Sequence, residues 1–260
     1  MSRAVRVAAI IPARMASSRL PGKPLLDIHG IPMVEHVRRR AMLCGRFSEV
    51  VVASCDDSIA QVIRRYGGRC LMTSPEHPGA TDRVAEAARQ LNCTHVVNVQ
   101  GDEVLVLVRD LERLVNAIEA EPEVPAWNAV TRLQRAEELS DRAIVKCAMS
   151  QSGRILYCAR DFSAIANALP PDFEPIYRIV GVLAYTRAFL DTYVTLPRTP
   201  LERAEGIDQS RILEHDVMLR GVWFTKGYPG INEPREIQMV RQYLQDDPAQ
   251  QAILQEVLQG

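Results

Sequence analysis

The sequence predicts an α/β fold, doubly wound around a mostly parallel sheet, with a small mixed or antiparallel insertion. Two observations carry this. Short apolar runs without polar alternation recur through the first half, each separated from the next by a longer stretch of helical periodicity. Strands of that kind are covered on both faces, which is how a parallel sheet with helices above and below it reads. The second half instead joins two strand-like runs across the turn Gln151-Ser152-Gly153, as an antiparallel hairpin does. At 260 residues and 47% hydrophobic, the chain can bury the core of a single domain over residues 1–260, with the insertion at about 143–200.

In order, Val5–Ile11 reads as a buried strand and Pro32–Leu43 as a helix with a basic face of Arg38, Arg39 and Arg40. Glu49–Ser54, Arg69–Thr73 and His95–Val99 follow as strands, alternating with helices over Ser58–Tyr66, Thr81–Leu91 and Arg109–Ala120. Right-handed crossovers between such strands place ligand-binding loops beyond their carboxyl ends. Here those loops are residues 12–24 and 100–104. Farther on, Ala143–Met149, Ile155–Cys158, Ile179–Thr186 and Gly221–Thr225 are strand-like, and the proline-bearing residues 161–178 form an irregular excursion. Two helices close the pattern, Pro234–Leu244 and Pro248–Leu258, the first with a proline suited to its opening turn.

Charge and composition exclude several functions. Lys and Arg number 31 against 32 Asp and Glu, so no basic excess points to nucleic acid or an anionic membrane, and any positive charge that matters is local. The apolar run Val7–Ile11 is too short for a signal-peptide core or a membrane span. Six cysteines lie scattered without a CxxC or His-paired spacing, and are expected as reduced thiols of a cytoplasmic protein. His29, His36, His77, His95 and His215 form no ligand spacing. Arg38–Arg40 reads as a solvated helix face or an interface edge, and Trp127 and Trp223 as core packing.

The chemistry concentrates in two segments. Ile11-Pro-Ala-Arg14-Met-Ala-Ser17-Ser18-Arg19-Leu-Pro-Gly22-Lys23-Pro follows a strand and packs three cations into ten residues with small residues between them. Small residues let the backbone approach an anion, and three cations can neutralise a triphosphate and steady a departing pyrophosphate. A solvated basic turn is the plainer reading, and the position after a parallel strand argues against it. The loop is neither GxxxxGK[ST] nor GxGxxG. The second segment, His95-Val-Val-Asn-Val-Gln-Gly-Asp102-Glu103, delivers a carboxylate at a strand end, which suits Mg²⁺ held by one or two carboxylates plus substrate phosphates. Gly-Asp after a strand is also an ordinary turn. Its pairing with a basic loop on the same sheet edge makes a kit for nucleotidyl transfer.

Residues 11–25 resemble, almost position for position, the N-terminal signature of the CMP-Kdo synthetases, the 3-deoxy-manno-octulosonate cytidylyltransferases. The resemblance continues through Thr81-Asp82-Arg83, Asn98-Val-Gln-Gly-Asp-Glu103, Val145-Lys146, Gly153 to Tyr157, Arg160, Thr199-Pro-Leu-Glu202 and Asp208-Gln209. It implies a Rossmann-like domain with a dimerisation subdomain, a homodimer, and Mg²⁺-dependent attack of a sugar-acid hydroxyl on the α-phosphate of CTP. By position it implies Arg14, Ser17, Arg19 and Lys23 on the triphosphate, and Arg83 and Gln100 on the cytidine. It further implies Asp102 on the metal, Arg160 on the sugar carboxylate, and Asp208, Gln209 and Tyr185 on the sugar hydroxyls.

The sequence departs from that pattern at five places. Val104 stands for a proline, His77-Pro-Gly-Ala80-Thr for His-x-Ser-Gly-Thr, Ile179 for a sugar-reading histidine, and Asp208 for a glutamate. The late Val-Asp-Thr-Pro motif, whose aspartate is a second metal ligand, reads Ile231-Asn232-Glu233-Pro234. Asn232 can ligate through its carbonyl without charge, or Glu233 can compensate. These changes suggest a different acidic sugar or specialised metabolite, or a catalytically weak nucleotide-binding protein. The intact triphosphate loop favours an active enzyme.

Overall fold

The computed structural model describes residues 4–16 and 20–260. In chain order it places β1 (Val7–Ala13), β2 (Asp27–Ile28), β3 (Ile31–Pro32), α1 (Met33–Leu43), β4 (Glu49–Ser54), α2 (Asp57–Arg65), β5 (Arg69–Met72), α3 (Ala80–Ala88), β6 (His95–Val99) and α4 (Val108–Ala120). These are followed by β7 (Ala126–Arg132), β8 (Lys146–Met149), β9 (Ile155–Ala159), β10 (Ile176–Thr186), α5 (Arg187–Tyr193), α6 (Pro200–Glu205), α7 (Asp208–Glu214), β11 (Leu219–Trp223), α8 (Pro234–Asp246) and α9 (Pro248–Gln259). The chain forms two compact units, Met1–Val115 with Tyr228–Gly260, and Asn116–Gly227. The insertion expected at about 143–200 lies within the second.

In the first unit, β6, β1, β4 and β5 lie side by side in that order, all parallel. The chain lays β4 and β5 on one side of β1, then crosses back to lay β6 on the other. Strand order therefore reverses between β1 and β6, and a crevice opens there beyond the strand ends. All seven residues of β1 are buried, which is why its sequence reads as an unbroken apolar run. Met33, Val34, Val37 and Ala41 give α1 an apolar stripe that packs on β1 and β4.

The basic run of α1 is not the solvated face the sequence suggests, because Arg38 and Arg40 are buried. Arg38 donates through Nε and Nη2 to both oxygens of Glu35, at 2.7 and 2.6 Å. Arg39 shares Glu35 at 2.7 Å and also donates to the carbonyl of Val257 at 2.7 Å. The cause is distant in sequence: Arg38 lies against Tyr66 and Gly68, Arg40 reaches the Val106 carbonyl, and α9 packs on the same helix, contacts no local pattern reveals.

In the second unit, β7 pairs parallel with β11 and antiparallel with β10. β8 pairs with the start of β10, and β9 pairs with β8. β7 is a strand the sequence reading misses, because Asn128 interrupts its apolar run. The structure satisfies that residue: its amide donates to the carbonyls of Val180 and Ala129 at 3.0 and 2.8 Å and its oxygen accepts from Gln209 at 2.7 Å. The short helices α5, α6 and α7 were also not expected, since six or seven residues give too little periodicity. Their caps mark them better, with Thr186 accepting from the Phe189 amide and Thr199 and Glu202 forming a capping box. Trp127 is buried as expected. Trp223 is not core: it is 42% exposed, with its ring edge-on to Tyr177 and the Arg132 guanidinium 5.7 Å from its centroid.

His36 gives the fold a pH dependence. Burial outweighs its 2.5 Å bond to the Ile28 carbonyl and pushes the imidazole down from 6.5 to about 4. Between those values the unfolded chain binds a proton that the folded chain does not. Stability from this group is therefore complete above pH 6.5 and falls by about 3 kcal/mol in all as pH drops to 4. Urea unfolding between pH 7 and 4 is expected to show a flatter decline for His36→Gln, which removes this titration, than for the unsubstituted chain.

Candidate active site

The loop after β1 is held at both ends. The amide of Met15 donates to Asp56 Oδ2 at 2.8 Å, anchoring the loop to the residues following β4. At its far end Gly22 adopts φ +74°, a left-handed turn that glycine takes without strain, and its amide returns to the Met15 carbonyl at 3.3 Å. That turn opens a short 3-10 segment, Lys23–Leu25, and presents the Lys23 side chain. Arg14 stands exposed at the end of β1. Ser17 and Arg19, assigned to the triphosphate by sequence, lie outside the described residues.

Opposite, β6 ends at Val99 and delivers Gln100, Gly101 and Asp102. A Cβ on Gly101 would lie 2.9 Å from the Pro12 carbonyl oxygen, so only glycine lets the two loops approach this closely. The result is a direct ion pair: Lys23 Nζ donates to Asp102 Oδ2 at 2.8 Å, with both side chains mostly buried. The same ammonium reaches Asn232 Oδ1 at 3.4 Å. Three groups separated by up to 209 residues thus converge on one point. The segment carrying Asn232 is itself pinned to Asp102, whose carbonyl accepts from Ile231 at 3.3 Å. Gly230 lies against it, since a Cβ there would sit 3.3 Å from that carbonyl oxygen. Glu233 serves another purpose, as the N-cap of α8 in a capping box with Glu236 and as a partner of Arg235 at 3.1 Å.

Around this point lies a cavity of about 260 Å³, lined by Arg14, Lys23, Met33, Arg83, Gln100 and Asp102 among others. Arg83 is buried on α3 and donates to Thr73 Oγ1 at 2.6 Å. Gly79 and Ala80, at the start of α3, close the wall. The cavity thus offers two arginines, a lysine, a carboxylate and the start of a helix, an arrangement suited to a polyanion. Asp56, Met33 and Gly230 were missed by sequence reasoning. Asp56 alone had a signal, as an acid just past a parallel strand.

The remaining sequence-predicted residues belong to the second unit. The Arg160 guanidinium donates to the carbonyls of Glu205 and Arg142, each at 2.8 Å, and to Gly206 at 3.5 Å. Tyr185 is buried beside Phe189 and Tyr193. Gln209 is buried and bound to Asn128. Asp208, half-buried, opens α7.

Residues 8–219 match the cytidylyltransferase family. A 3-deoxy-manno-octulosonate cytidylyltransferase of Geobacter sulfurreducens is 36% identical, covering 92% of this chain and all of that protein. An 8-amino-3,8-dideoxy-manno-octulosonate cytidylyltransferase of Shewanella piezotolerans is 35% identical over 90% of this chain and 97% of its own length. A solved CMP:2-keto-3-deoxy-manno-octonic acid synthetase in complex with CTP superposes with a TM-score of 0.85 at 32% identity, over 93% of this chain and 99% of that one. A strand-order reversal carrying a lysine and an aspartate, with two arginines lining the same cavity, is thus found on a chain about nine-tenths of which matches these enzymes: the protein belongs to the cytidylyltransferase family, that of the 3-deoxy-manno-octulosonate cytidylyltransferases.

Proposed function

We propose that this chain transfers CMP from CTP to 3-deoxy-manno-octulosonate or a close acidic relative. The acceptor's hydroxyl oxygen bonds to the α-phosphorus, the bond from that phosphorus to the bridging oxygen breaks, and pyrophosphate leaves. The observation that carries this is the Lys23 ammonium, held at the strand-order reversal between Asp102 and Asn232 in a cavity also lined by Arg14 and Arg83. Arg14 and Lys23 oppose the charge that develops on the departing phosphates. Arg83 and Gln100 are assigned to the cytidine, and Ser17 and Arg19 to the triphosphate on the resemblance. On the acceptor side the same resemblance assigns Arg160, Tyr185, Asp208 and Gln209.

Magnesium fits the donor set. Asp102 and Asn232 turn hard oxygen donors toward one point that a cation, the Lys23 ammonium, already occupies. The rest of the magnesium ion's shell would come from substrate phosphates and water. When bound it supplies charge neutralisation on the phosphates. No helix among the described residues is long and apolar enough to cross a membrane, and we assign this CTP-consuming reaction to the cytoplasm.

A homodimer is also proposed, through the edge of β9. Among the described strands β9 pairs only with β8, and a register shift opposite Ala148 and Met149 turns out Leu156 beside Tyr157, leaving them 54% and 42% exposed. A second copy with the same edge is the partner that fits such a self-complementary strip. Leu156→Glu is expected to shift the protein from dimer to monomer by light scattering.

Pyrophosphate release with Mg²⁺ and CTP tests the central reading. It should appear with 3-deoxy-manno-octulosonate or its 8-amino-3,8-dideoxy relative and not with sialic acids, and ATP and GTP should substitute poorly. Lys23→Ala and Arg14→Ala are each expected to lower turnover on the order of ten- to a thousandfold; near-normal turnover in either rejects the phosphate assignment. A magnesium titration at fixed CTP separates the metal donors. Asn232→Asp should lower the magnesium needed for half-maximal rate, because it restores a full charge, and Asp102→Asn should leave little activity.

A further inference from the structure

The segment that leads from Asp102 into α4 has an unusual support. Val104, Leu105, Val106 and Leu107 are all buried, so each of their carbonyls needs a partner inside the protein. The Leu107 carbonyl has α4, accepting from the amides of Asp110 and Leu111 at 3.0 and 3.2 Å. The carbonyls of Leu105 and Val106 are met by side chains from helices far away in sequence. Gln250 Nε2, from α9, donates to Leu105 at 2.7 Å, and Arg40 Nη1, from α1, donates to Val106 at 3.1 Å.

Arg40 is an expensive choice for this task. It is completely buried, its Nε and Nη2 have no partner among the described residues, and burial pushes its guanidinium down from 12.5 to about 9. Its neighbours Arg38 and Arg39 share Glu35, whereas among the described residues Arg40 bonds to a carbonyl and to no carboxylate. Packing alone would favour an apolar side chain at this site. Placement explains the cost better. α1 packs against the Lys23–Leu25 segment, and the Met33 amide at its start donates to Leu26 at 2.8 Å. One end of α1 therefore braces the lysine arm of the site, and Arg40, two turns along, braces the carboxylate arm.

We propose that Arg40 and Gln250 are positioning residues that fix the segment behind Asp102 and so set the separation of Lys23 and Asp102. The C-terminal helix α9 is thereby part of the mounting of the site. This rests on the reading of Asp102 as the metal-binding carboxylate.

The test uses full-length Gln250→Leu, Gln250→Glu, Arg40→Met and Arg40→Lys. Gln250→Glu preserves shape and removes the donor, and Arg40→Lys keeps a cation that can donate. In the pyrophosphate assay, Gln250→Leu and Gln250→Glu are expected to raise the magnesium concentration for half-maximal rate about three- to tenfold, as loss of outer-shell support does. The KM for CTP should move less. Deuterium exchange at residues 103–107 should accelerate in the same variants, and Arg40→Lys should recover part of what Arg40→Met loses. If Gln250→Leu and Gln250→Glu lower the melting temperature while magnesium dependence and exchange at 103–107 stay unchanged, the proposal is overturned. Asp102→Asn in the same titration separates the two claims. If it destroys the magnesium response and the Gln250 variants do not, positioning alone fails; if it leaves the response intact, the metal assignment fails and positioning falls with it.

Discussion

The first unit depends on one strand with no exposed side. β1 is buried along its whole length, flanked by β4 and β6 in parallel register. A strand in that position cannot end in a tight hairpin, because its parallel neighbours start at the far edge of the sheet. Its exit and that of β6 must therefore lie at the same edge, on either side of the point where strand order reverses. Everything the site uses follows from that: a basic loop on one exit, a carboxylate on the other, and a glycine at 101 so that they can touch.

Much of this was legible in the residues. Short apolar runs mark β1, β4, β5 and β6 nearly to their ends, and the rule that loops past parallel strands bind ligands singles out Arg14, Lys23 and Asp102 from the residues alone. That Asn232 meets Asp102 was expected only from the family resemblance, as a shared metal site and not as a contact with the Lys23 ammonium. What stayed hidden was governed by contacts distant in sequence. Asn128 broke the apolar pattern of β7 because its partners, Val180 and Gln209, lie 52 and 81 residues away. Arg38 and Arg40 read as a wet surface because their partners lie far along the chain, Tyr66 and Gly68 for Arg38 and Val106 for Arg40. Trp223 read as core because a tryptophan on a strand usually packs inward, whereas here it flanks Tyr177 at the surface.

Polar groups of the second unit show a complementary economy. Lys146 is buried and donates to the carbonyls of Asp141 and Ile144 at 2.8 and 3.0 Å and to Arg160 at 2.5 Å, while burial lowers its pKa. Arg160 in turn collects the carbonyls of Arg142, Glu205 and Gly206. These two side chains tie irregular loops that lack ladder partners, the task strands perform elsewhere. Arg160 is thereby held in one orientation.

The lysine–aspartate pair has a consequence for how ligands enter. An ammonium already satisfied by a carboxylate does not wait in solvent, so little side-chain freedom remains to be lost when a phosphate arrives. On the proposed function, binding would be an exchange of counter-ions. A triphosphate that drew Lys23 away would leave Asp102 and Asn232 facing each other without a cation, and these are the oxygens that would then hold a divalent ion. Each ligand would prepare the place of the other, and by linkage each would bind more tightly in the other's presence. A single side chain would then couple nucleotide and cation.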